Sequence, residues 1–449
     1  MSTHQPPRRQ PITVTIIGAG SGEFATELMS DILCTPGLDS GTFNLVDVDP
    51  ERLEMSHRIG EHLVAMSGRA WHVVATTDRT EVLAGSDYVI NTIEVAGLRN
   101  VRHDYDIPMK YGVDQCIGDT IGPGGLFKSL RTLPVWVDIV RDIERLAPEA
   151  IVMNYTNPMS VTVLTALRAT NVNLNLVGLC HSVFHTVQAL GEYLDMPSAH
   201  IDWKAGGVNH LSWITELTHD GDDLYPRLFA AGRRPEIYEQ DPVRFETMFQ
   251  LGLFVAESSG HNSEYTQWFR KRPDLVDQYA RSGYRGESGY YANNWPTWRQ
   301  DANDRLRRVL DGREDFELER GDEYASSVIE AIESGQPRSI YVNVLNAGLI
   351  DNLPATGAVE VAATIDGDGV HAHPFGPLAS HLAAPVMAHM CFHDLVATSV
   401  LEQDREAAVH ALMVDPLTSA VCSLAEIRSL FDEMVAAQRA DLPEYLSRG

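Results

Sequence analysis

The sequence predicts an α/β protein: a Rossmann-type doubly wound sheet followed by a mixed α+β domain. Its first half alternates β-branched runs with segments of helical periodicity, beginning with residues 13–18 (TVTIIG) and a helix over about 22–33. Parallel strands that are buried on both faces have such continuous apolar sequences, and helices cover them. After about Cys180 the alternation stops, which predicts a different architecture for the second half.

Each later element is predicted from its local pattern. Residues 215–221 predict a strand entering a hairpin, because Asp220-Gly221 supplies the positive φ angles of a tight turn. A helix is predicted over about 323–333. The remaining strands of the first half are predicted from five apolar runs: residues 43–48, 71–76, 88–95, 151–155 and 174–179.

The composition excludes several classes of protein. The chain has 449 residues and a formal net charge of −27, and its longest basic stretch is 305–308, so nucleic-acid binding is not expected. Five cysteines without CxxC spacing favour reduced thiols in the cytoplasm. No segment resembles a signal peptide or reaches the roughly 20 apolar residues that span a bilayer, so no membrane partner is expected either.

A glycine-rich segment lies where the first strand meets the first helix. Gly18, Gly20, Ser21 and Gly22 permit a tight turn and let the backbone approach a pyrophosphate at the positive end of a helix. Asp47 ends the second predicted strand, where a carboxylate would bind the adenosine ribose and disfavour a 2′-phosphate. We therefore predict an NAD site, although Glu23 replaces the third glycine of the GxGxxG fingerprint.

These patterns divide the chain into three predicted parts. Residues 1–10 are expected to be a disordered tail, and residues 11–180 an NAD-binding Rossmann-type domain. Residues 181–449 are expected to form a mixed α+β domain for catalysis and oligomerisation.

A cysteine and a histidine are the candidate metal ligands. Cys180 follows the last predicted parallel strand, and His210 lies about 30 residues downstream. Ligands of open α/β sheets bind at the carboxyl ends of strands, and sulfur and nitrogen donors suit a borderline divalent metal. Two protein ligands would leave coordination positions open for substrate oxygens. The alternative is that Cys180 is a buried small hydrophobic residue and His210 a hydrogen-bonded core histidine.

Taken together, the polar segments resemble glycoside hydrolase family 4, the NAD- and divalent-metal-dependent glycosidases whose fold is similar to that of lactate and malate dehydrogenases. The Cys-His-Ser-Val tetrad at 180–183 resembles that of the α-galactosidase (melibiase) members. The resemblance covers nearly the whole chain. Its motifs are GAGS from Gly18, DTIGPGG from Asp119, NYTNPM from Asn154, GLCHSV from Gly178, GGVNH from Gly206, ESSGHNSEYTQWF from Glu257 and GLIDNLP from Gly348.

The resemblance implies a redox route to hydrolysis of an α-galactoside, which departs from the usual pair of carboxylates. NAD takes a hydride from carbon 3 of the sugar, and the resulting ketone acidifies the hydrogen on carbon 2. A base removes that proton while Mn²⁺ or another divalent metal, held by Cys180 and His210, stabilises the enolate. Elimination at carbon 1, addition of water and return of the hydride complete the cycle.

The resemblance also implies roles for individual residues. Tyr265 matches the base and His181 the acid for the leaving oxygen, whereas Asn154 and Asp119 match positions that contact sugar hydroxyls. A tyrosine has an ordinary pKa of about 10, so a metal or a cation such as Arg270 would have to lower it. Three further side chains compete for the role of base: Glu264, His261 and Asp119.

Other functions remain open from the sequence. An α-glucosidase or α-galacturonidase would use the same chemistry, and the cations at 270–272 could pair with an acidic sugar. A 2-hydroxy-acid dehydrogenase would explain the first half of the chain but would give Cys180 and His210 no role. A third alternative is an NAD-binding regulator without catalysis. Relatives usually form dimers or tetramers, so a homo-oligomer is expected.

Overall fold

A computed structural model describes residues 11–172 and 174–448. The expected tail over residues 1–10 lies outside the described residues. The strands are β1 Ile12–Ile17, β2 Ser40–Val46, β3 Ala70–Thr76, β4 Tyr88–Asn91, β5 Ile151–Asn154, β6 Asn175–Gly178, β7 Asp202–Val208, β8 Leu211–His219, β9 Asp222–Asp223, β10 Arg338–Leu345, β11 Ala358–Asp366 and β12 Gly369–Ala372.

The helices lie between these strands in the first half and in longer groups in the second. They are α1 Glu23–Cys34, α2 Pro50–Ser67, α3 Gly97–Lys110, α4 Gly122–Leu146, α5 Met159–Ala169, α6 Ser182–Leu194, α7 Tyr225–Gly232, α8 Pro235–Tyr238, α9 Pro242–Leu251, α10 Ser259–Glu264, α11 Pro273–Tyr279, α12 Tyr290–Leu310, α13 Tyr324–Ser334, α14 Ser380–Glu402, α15 Arg405–Val414, α16 Pro416–Val421 and α17 Leu424–Ala437.

The first six strands form a parallel sheet in the order β3-β2-β1-β4-β5-β6. This is the doubly wound order, in which the strand sequence reverses between β1 and β4 and ligands bind at the carboxyl ends beside that point. The predicted fold class is therefore confirmed.

The sheet continues into the second half of the chain. Strands β10, β11, β7, β8 and β9 extend it with antiparallel pairs, and β12 pairs with β11. The two sections meet at one backbone pair, Asn343 with Gly178. Asp220 and Gly221 have φ angles of 51° and 85° between β8 and β9, which confirms the predicted hairpin.

Two apolar layers cover the parallel section. One contains α1, α2 and α13, and the other contains α4, α5, α14, α15 and α17. Helices from the second half of the chain thus complete the core of the first half, and the domain boundary at residue 180 stays a prediction.

Helix α14 differs from the sequence expectation about membranes. By length and composition it could cross a membrane, although no such segment was expected from the sequence. Polar residues within α14 interrupt its apolar run, so the helix does not stand out in the sequence as a continuous apolar segment. In the structure the buried residues of α14 include His389, Phe392 and Val396, which belong to the interior of the protein.

Strand β4 is shorter than predicted, and the reason bears on function. The sequence predicted a strand over 88–95, but β4 ends at Asn91. The following backbone turns over the glycine-rich loop, where Thr92 donates its N–H to Ile17 O at 2.8 Å. A polar segment is thereby placed at the carboxyl edge of the sheet.

Candidate active site

The glycine-rich loop and Asp47 form one compact site. Gly18 has a φ of 91°, and a Cβ there would lie 2.7 Å from the Ile93 backbone nitrogen. A Cβ on Gly20 would lie 2.6 Å from Asp47 Oδ2, which accepts the Gly20 N–H at 2.8 Å. Only glycine fits at these two positions. The structure therefore brings the predicted cofactor residues together at the start of α1.

The two remaining predicted loop residues lie at the start of the same helix. Gly22, with a φ of 71°, is the N-cap of α1, and Ser21 Oγ accepts the Ala25 N–H at 3.2 Å. The N–H groups of a first helical turn have no partner within the helix, which suits an anionic ligand.

Cys180 and His210 lie in contact although 30 residues separate them. Cys180 follows β6, and His210 lies in the two-residue turn between β7 and β8, where Val208 pairs with Leu211. The distance from Cys180 Sγ to His210 Nε2 is 3.3 Å. Both atoms are therefore positioned to bind one ion at the carboxyl edge of the sheet.

The other nitrogen of His210 has its own partners. His210 Nδ1 lies 3.1 Å from Thr120 Oγ1 and 3.1 Å from the Tyr265 hydroxyl. These contacts fix the ring so that Nε2 faces Cys180. Burial opposes a charge on His210, but the adjacent Cys180 sulfur outweighs it and raises the pKa of His210 to about 10.

The donor set is small within the described part of the chain. No group of three or more His, Cys, Asp or Glu side chains there is arranged to hold a metal ion. Asp119 and the His261–Glu257 pair lie near His210 and contribute charge to its surroundings. A metal at Cys180 and His210 would therefore keep open positions for a substrate, as catalytic sites do.

A buried histidine and carboxylate stand beside His210. His261 Nδ1 lies 3.1 Å from Glu257 Oε1, and the rings of His261 and His210 meet edge to face with centroids 5.0 Å apart. Glu257 has a φ of 86°, a left-handed conformation that is strained for this residue type. Strain of this kind is concentrated at functional sites.

Tyr265 occupies a different environment from the one the sequence suggested. Its side chain is fully buried, and burial together with Asp119 and Glu264 holds the pKa of Tyr265 well above its ordinary value. Arg270, one of the two groups that could have lowered it, pairs instead with Asp114, with Nη2 2.7 Å from Asp114 Oδ2.

Glu264 forms hydrogen bonds with backbone N–H groups. Its carboxylate accepts N–H groups from Cys116, Ile117 and Gly118 at 2.5, 3.0 and 2.8 Å. These bonds hold the loop that precedes Asp119. The geometry therefore gives Glu264 a structural role rather than that of a free base.

His181 faces a carboxyl group from α13's N-terminus. Its Nε2 lies 3.3 Å from Glu323 Oε2. Burial and His185 lower the pKa of His181, whereas burial and the nearby Glu27 and Asp31 raise the pKa of Glu323 to about 8. The two side chains are therefore neighbours, although neither of these two atoms has a hydrogen-bond partner among the described residues.

The two predicted sugar-binding residues are both buried, but they have different surroundings. Asn154 is fully buried, where its Oδ1 accepts from Asn91 Nδ2 at 2.7 Å and its Nδ2 donates to Thr156 O at 3.0 Å. Asp119 lines a pocket, with Lys128 Nζ 3.7 Å from its Oδ2. Burial alone would raise the pKa of Asp119, but Lys128 and the nearby histidines outweigh it and lower that pKa.

Comparison with known proteins decides the family. A model described as family 4 glycosyl hydrolase matches residues 13–196, and its C-terminal domain model matches residues 205–418. The chain belongs to glycosyl hydrolase family 4. It is 37% identical to an alpha-galactosidase of Bacillus subtilis (strain 168), over 96% of this chain and 99% of the relative. An alpha-galactosidase of Rhizobium meliloti (strain 1021) is 34% identical, over 96% and 89%.

A solved glucosidase structure shares the fold. A 6-phospho-alpha-glucosidase from gut microorganisms, in complex with NAD and Mn²⁺, superposes with a TM-score of 0.81. Its sequence identity is 19%, over 97% of this chain and 99% of that one. The resemblance drawn from the sequence motifs is therefore confirmed at the level of the family.

Sequence reasoning missed several residues that line the pocket beside Asp119. Glu94 Oε2 lies 3.0 Å from Lys128 Nζ, and Tyr291 and Trp295 line the same pocket. Glu94 follows β4, so its position at a strand's carboxyl end was a usable signal. Lys128, Tyr291 and Trp295 lie within helices and carry no local signal of their own.

Proposed function

We propose that this chain is an α-galactosidase that uses NAD and Mn²⁺. The observation that carries the chemistry is the contact between Cys180 Sγ and His210 Nε2 beside a glycine-rich loop at one sheet edge. The relatedness to two proteins named alpha-galactosidase supports the choice of sugar. We further propose that the enzyme is cytoplasmic and forms a homo-oligomer, a dimer or tetramer.

The residues present fit both cofactors. Cys180 and His210 offer sulfur and nitrogen donors for Mn²⁺, which would supply Lewis-acid stabilisation of charge on sugar oxygens. The loop at Gly18–Gly22 and Asp47 would hold NAD, which would accept and return a hydride. Asp47 carries a negative charge where NADP has its 2′-phosphate, which favours NAD.

Proton transfer falls to the chain's own side chains. His181, whose Nε2 lies 3.3 Å from Glu323 Oε2, is the proposed acid for the leaving oxygen. Tyr265 is the proposed base on the family resemblance, with Asp119 and His261 as competitors. Asp119 and Asn154 are the proposed partners of sugar hydroxyls; Asp119 lines the pocket, and Asn154 Oδ1 accepts from Asn91 Nδ2 where β4 and β5 end.

The charges around the pocket favour a neutral sugar. Lys128 pairs with Glu94 and Asp119, and Arg131 pairs with Asp104 at 2.7 Å. Neither cation of this pocket is available to bind a uronate. Of the three cations suspected from the sequence, Arg270 is buried on Asp114, Arg272 pairs with Asp274 at the surface, and Lys271 is exposed.

Rates on three substrates test the sugar assignment. We expect p-nitrophenyl α-galactoside to be hydrolysed faster than the α-glucoside and the α-galacturonide, because Glu94 and Asp119 repel an acidic sugar. Measurement of kcat/KM for all three decides the point. A preference for the galacturonide would overturn it, and net NADH formation would instead indicate a dehydrogenase.

Removal of the metal should abolish turnover. A site with two protein ligands should bind Mn²⁺ weakly, so a chelator is expected to stop hydrolysis and added Mn²⁺ to restore it. Turnover of the galactoside is measured before chelation, after it and after metal is returned. Activity that survives chelation would contradict the metal assignment.

A Tyr265→Phe variant separates two roles of this residue. Because Tyr265 is the proposed base, we expect kcat at saturating Mn²⁺ to fall about 100-fold. Because its hydroxyl also contacts His210 Nδ1 at 3.1 Å, Mn²⁺ affinity should fall about 10- to 100-fold as well. Manganese titrations and kcat at saturating metal measure the two effects separately. A kcat that excess Mn²⁺ restores to the wild-type value would remove Tyr265 from the role of base.

A further inference from the structure

Helix α12 crosses the glycine-rich loop from the second half of the chain. A Cβ on Gly22 would lie 3.2 Å from Asn303 Oδ1 and 3.3 Å from Leu306 Cδ1, both on α12. One turn earlier on this helix, Arg299 reaches the loop itself. The predicted cofactor loop is thus covered by an element that the GxGxxG pattern does not include.

The Arg299 guanidinium is attached to the backbone of the loop. Nη1 donates to Ser21 O at 2.6 Å, and Nη2 lies 3.4 Å from Gly20 O. Its Nε is buried without a hydrogen-bond partner. A guanidinium has five N–H donors in one plane, so donors remain for a ligand beside the loop.

Arg299 also has no counter-ion among the described residues, unlike its neighbours. Arg52 Nε lies 3.5 Å from Asp49 Oδ2, and Arg305 Nε lies 3.0 Å from Glu314 Oε1. Burial and the nearby Arg52 lower the pKa of Arg299, and the opposing charges of Glu94 and Asp47 offset this only in part. A half-buried cation with no anion in contact is costly, and an anion bound beside it would remove that cost.

We propose that Arg299 binds the pyrophosphate of the dinucleotide. This inference rests on the proposed use of NAD, because the anion is the one that the loop at Gly18–Gly22 would accept. The planar fork of an arginine forms paired hydrogen bonds with phosphate oxygens, and its carbonyl contacts hold it at the start of α1.

The assignment gives α12 a role in cofactor binding. The dinucleotide would be held by the loop of the first half and by a cation of the second half. Its adenosine end would contact Asp47, where Arg299 has no hydrogen bond. Loss of the Arg299 guanidinium should therefore weaken ligands that contain the pyrophosphate and spare ligands that lack it.

Calorimetric titration of the full-length protein tests the inference. In Arg299→Gln, we expect the Kd values of NAD and ADP-ribose to rise about 10- to 100-fold, because the variant loses a charged hydrogen bond to the pyrophosphate. The Kd of adenosine should not change. Arg307→Gln is the matched control, because Arg307 lies on the same helix and pairs with Asp304 at the surface. That control should bind all three ligands like the wild type.

A second variant distinguishes loss of the guanidinium from misfolding. Arg299→Lys keeps a positive charge without the planar fork, and its affinity for ADP-ribose should lie between those of the wild type and Arg299→Gln. Wild-type affinity of Arg299→Gln for ADP-ribose would overturn the inference, as would equal losses for ADP-ribose and adenosine. Wild-type protein that binds neither NAD nor ADP-ribose would overturn the proposed function itself.

Discussion

A Cys180→Ser variant is expected to lose about a thousandfold in kcat/KM for the α-galactoside. Cys180 Sγ lies 3.3 Å from His210 Nε2, and a serine hydroxyl is a much poorer ligand for Mn²⁺ at this position than a thiolate. Lewis-acid stabilisation is worth several kcal/mol, and each 1.36 kcal/mol changes the rate about tenfold. Initial rates and Mn²⁺ titrations measure the loss.

A second cysteine supplies the control for this substitution. Cys391 is exposed on α14, so Cys391→Ser should retain both the rate and the Mn²⁺ affinity of the wild type. A Cys180→Ser variant that bound Mn²⁺ like the wild type would remove Cys180 from the metal site.

An Asp114→Asn variant is expected to lower the free energy of unfolding by about 3–5 kcal/mol. Asp114 Oδ2 pairs with Arg270 Nη2 at 2.7 Å, and the Arg270 side chain is 1% exposed. Removing one partner leaves a buried charge without compensation. Denaturant unfolding followed by circular dichroism measures the change.

An exposed pair of the same type calibrates that measurement. Arg272 Nη2 and Asp274 Oδ2 lie 2.9 Å apart, with side chains that are 58% and 65% exposed. Asp274→Asn should leave the unfolding midpoint unchanged, because water screens and replaces a surface pair. If both substitutions had equal effects, the Arg270 pair would not stabilise the fold as its burial implies.

Local patterns were sufficient to predict the scaffold of the site. The β-branched run at 13–18 and the apolar runs after it correspond to β1–β6, because buried parallel strands need continuous apolar sequence. The glycines at 18–22 and Asp47 follow strand ends, and a strand's carboxyl end is where an open α/β sheet binds ligands. The same rule predicted that Cys180 lies at the carboxyl edge of the parallel sheet, where it follows β6.

Side-chain environments could not be predicted in this way. The pairing of Arg270 with Asp114 spans 156 residues, and Arg299 meets the loop across 278 residues. No local periodicity records such contacts. The sequence therefore placed Arg270 near the site as a free cation, whereas tertiary packing pairs it with Asp114 and places a different arginine, Arg299, at the glycine-rich loop.

The role of Glu264 was hidden for a related reason. Its neighbour Tyr265 shares its motif, but successive residues at the end of α10 point in different directions. Glu264 therefore binds backbone N–H groups at 116–118 while Tyr265 contacts His210. Glu264 and Tyr265 are therefore adjacent in one motif but have different roles in the fold.

The continuous sheet has a consequence for how the protein unfolds. Strand β6 is covered at its edge by β10, and α14 and α17 complete the apolar layer over the first half. Loss of either half would expose a strand edge and apolar surface on the other. We therefore expect one cooperative transition for the whole chain, and a fragment of residues 11–180 should not fold or retain a dinucleotide by itself.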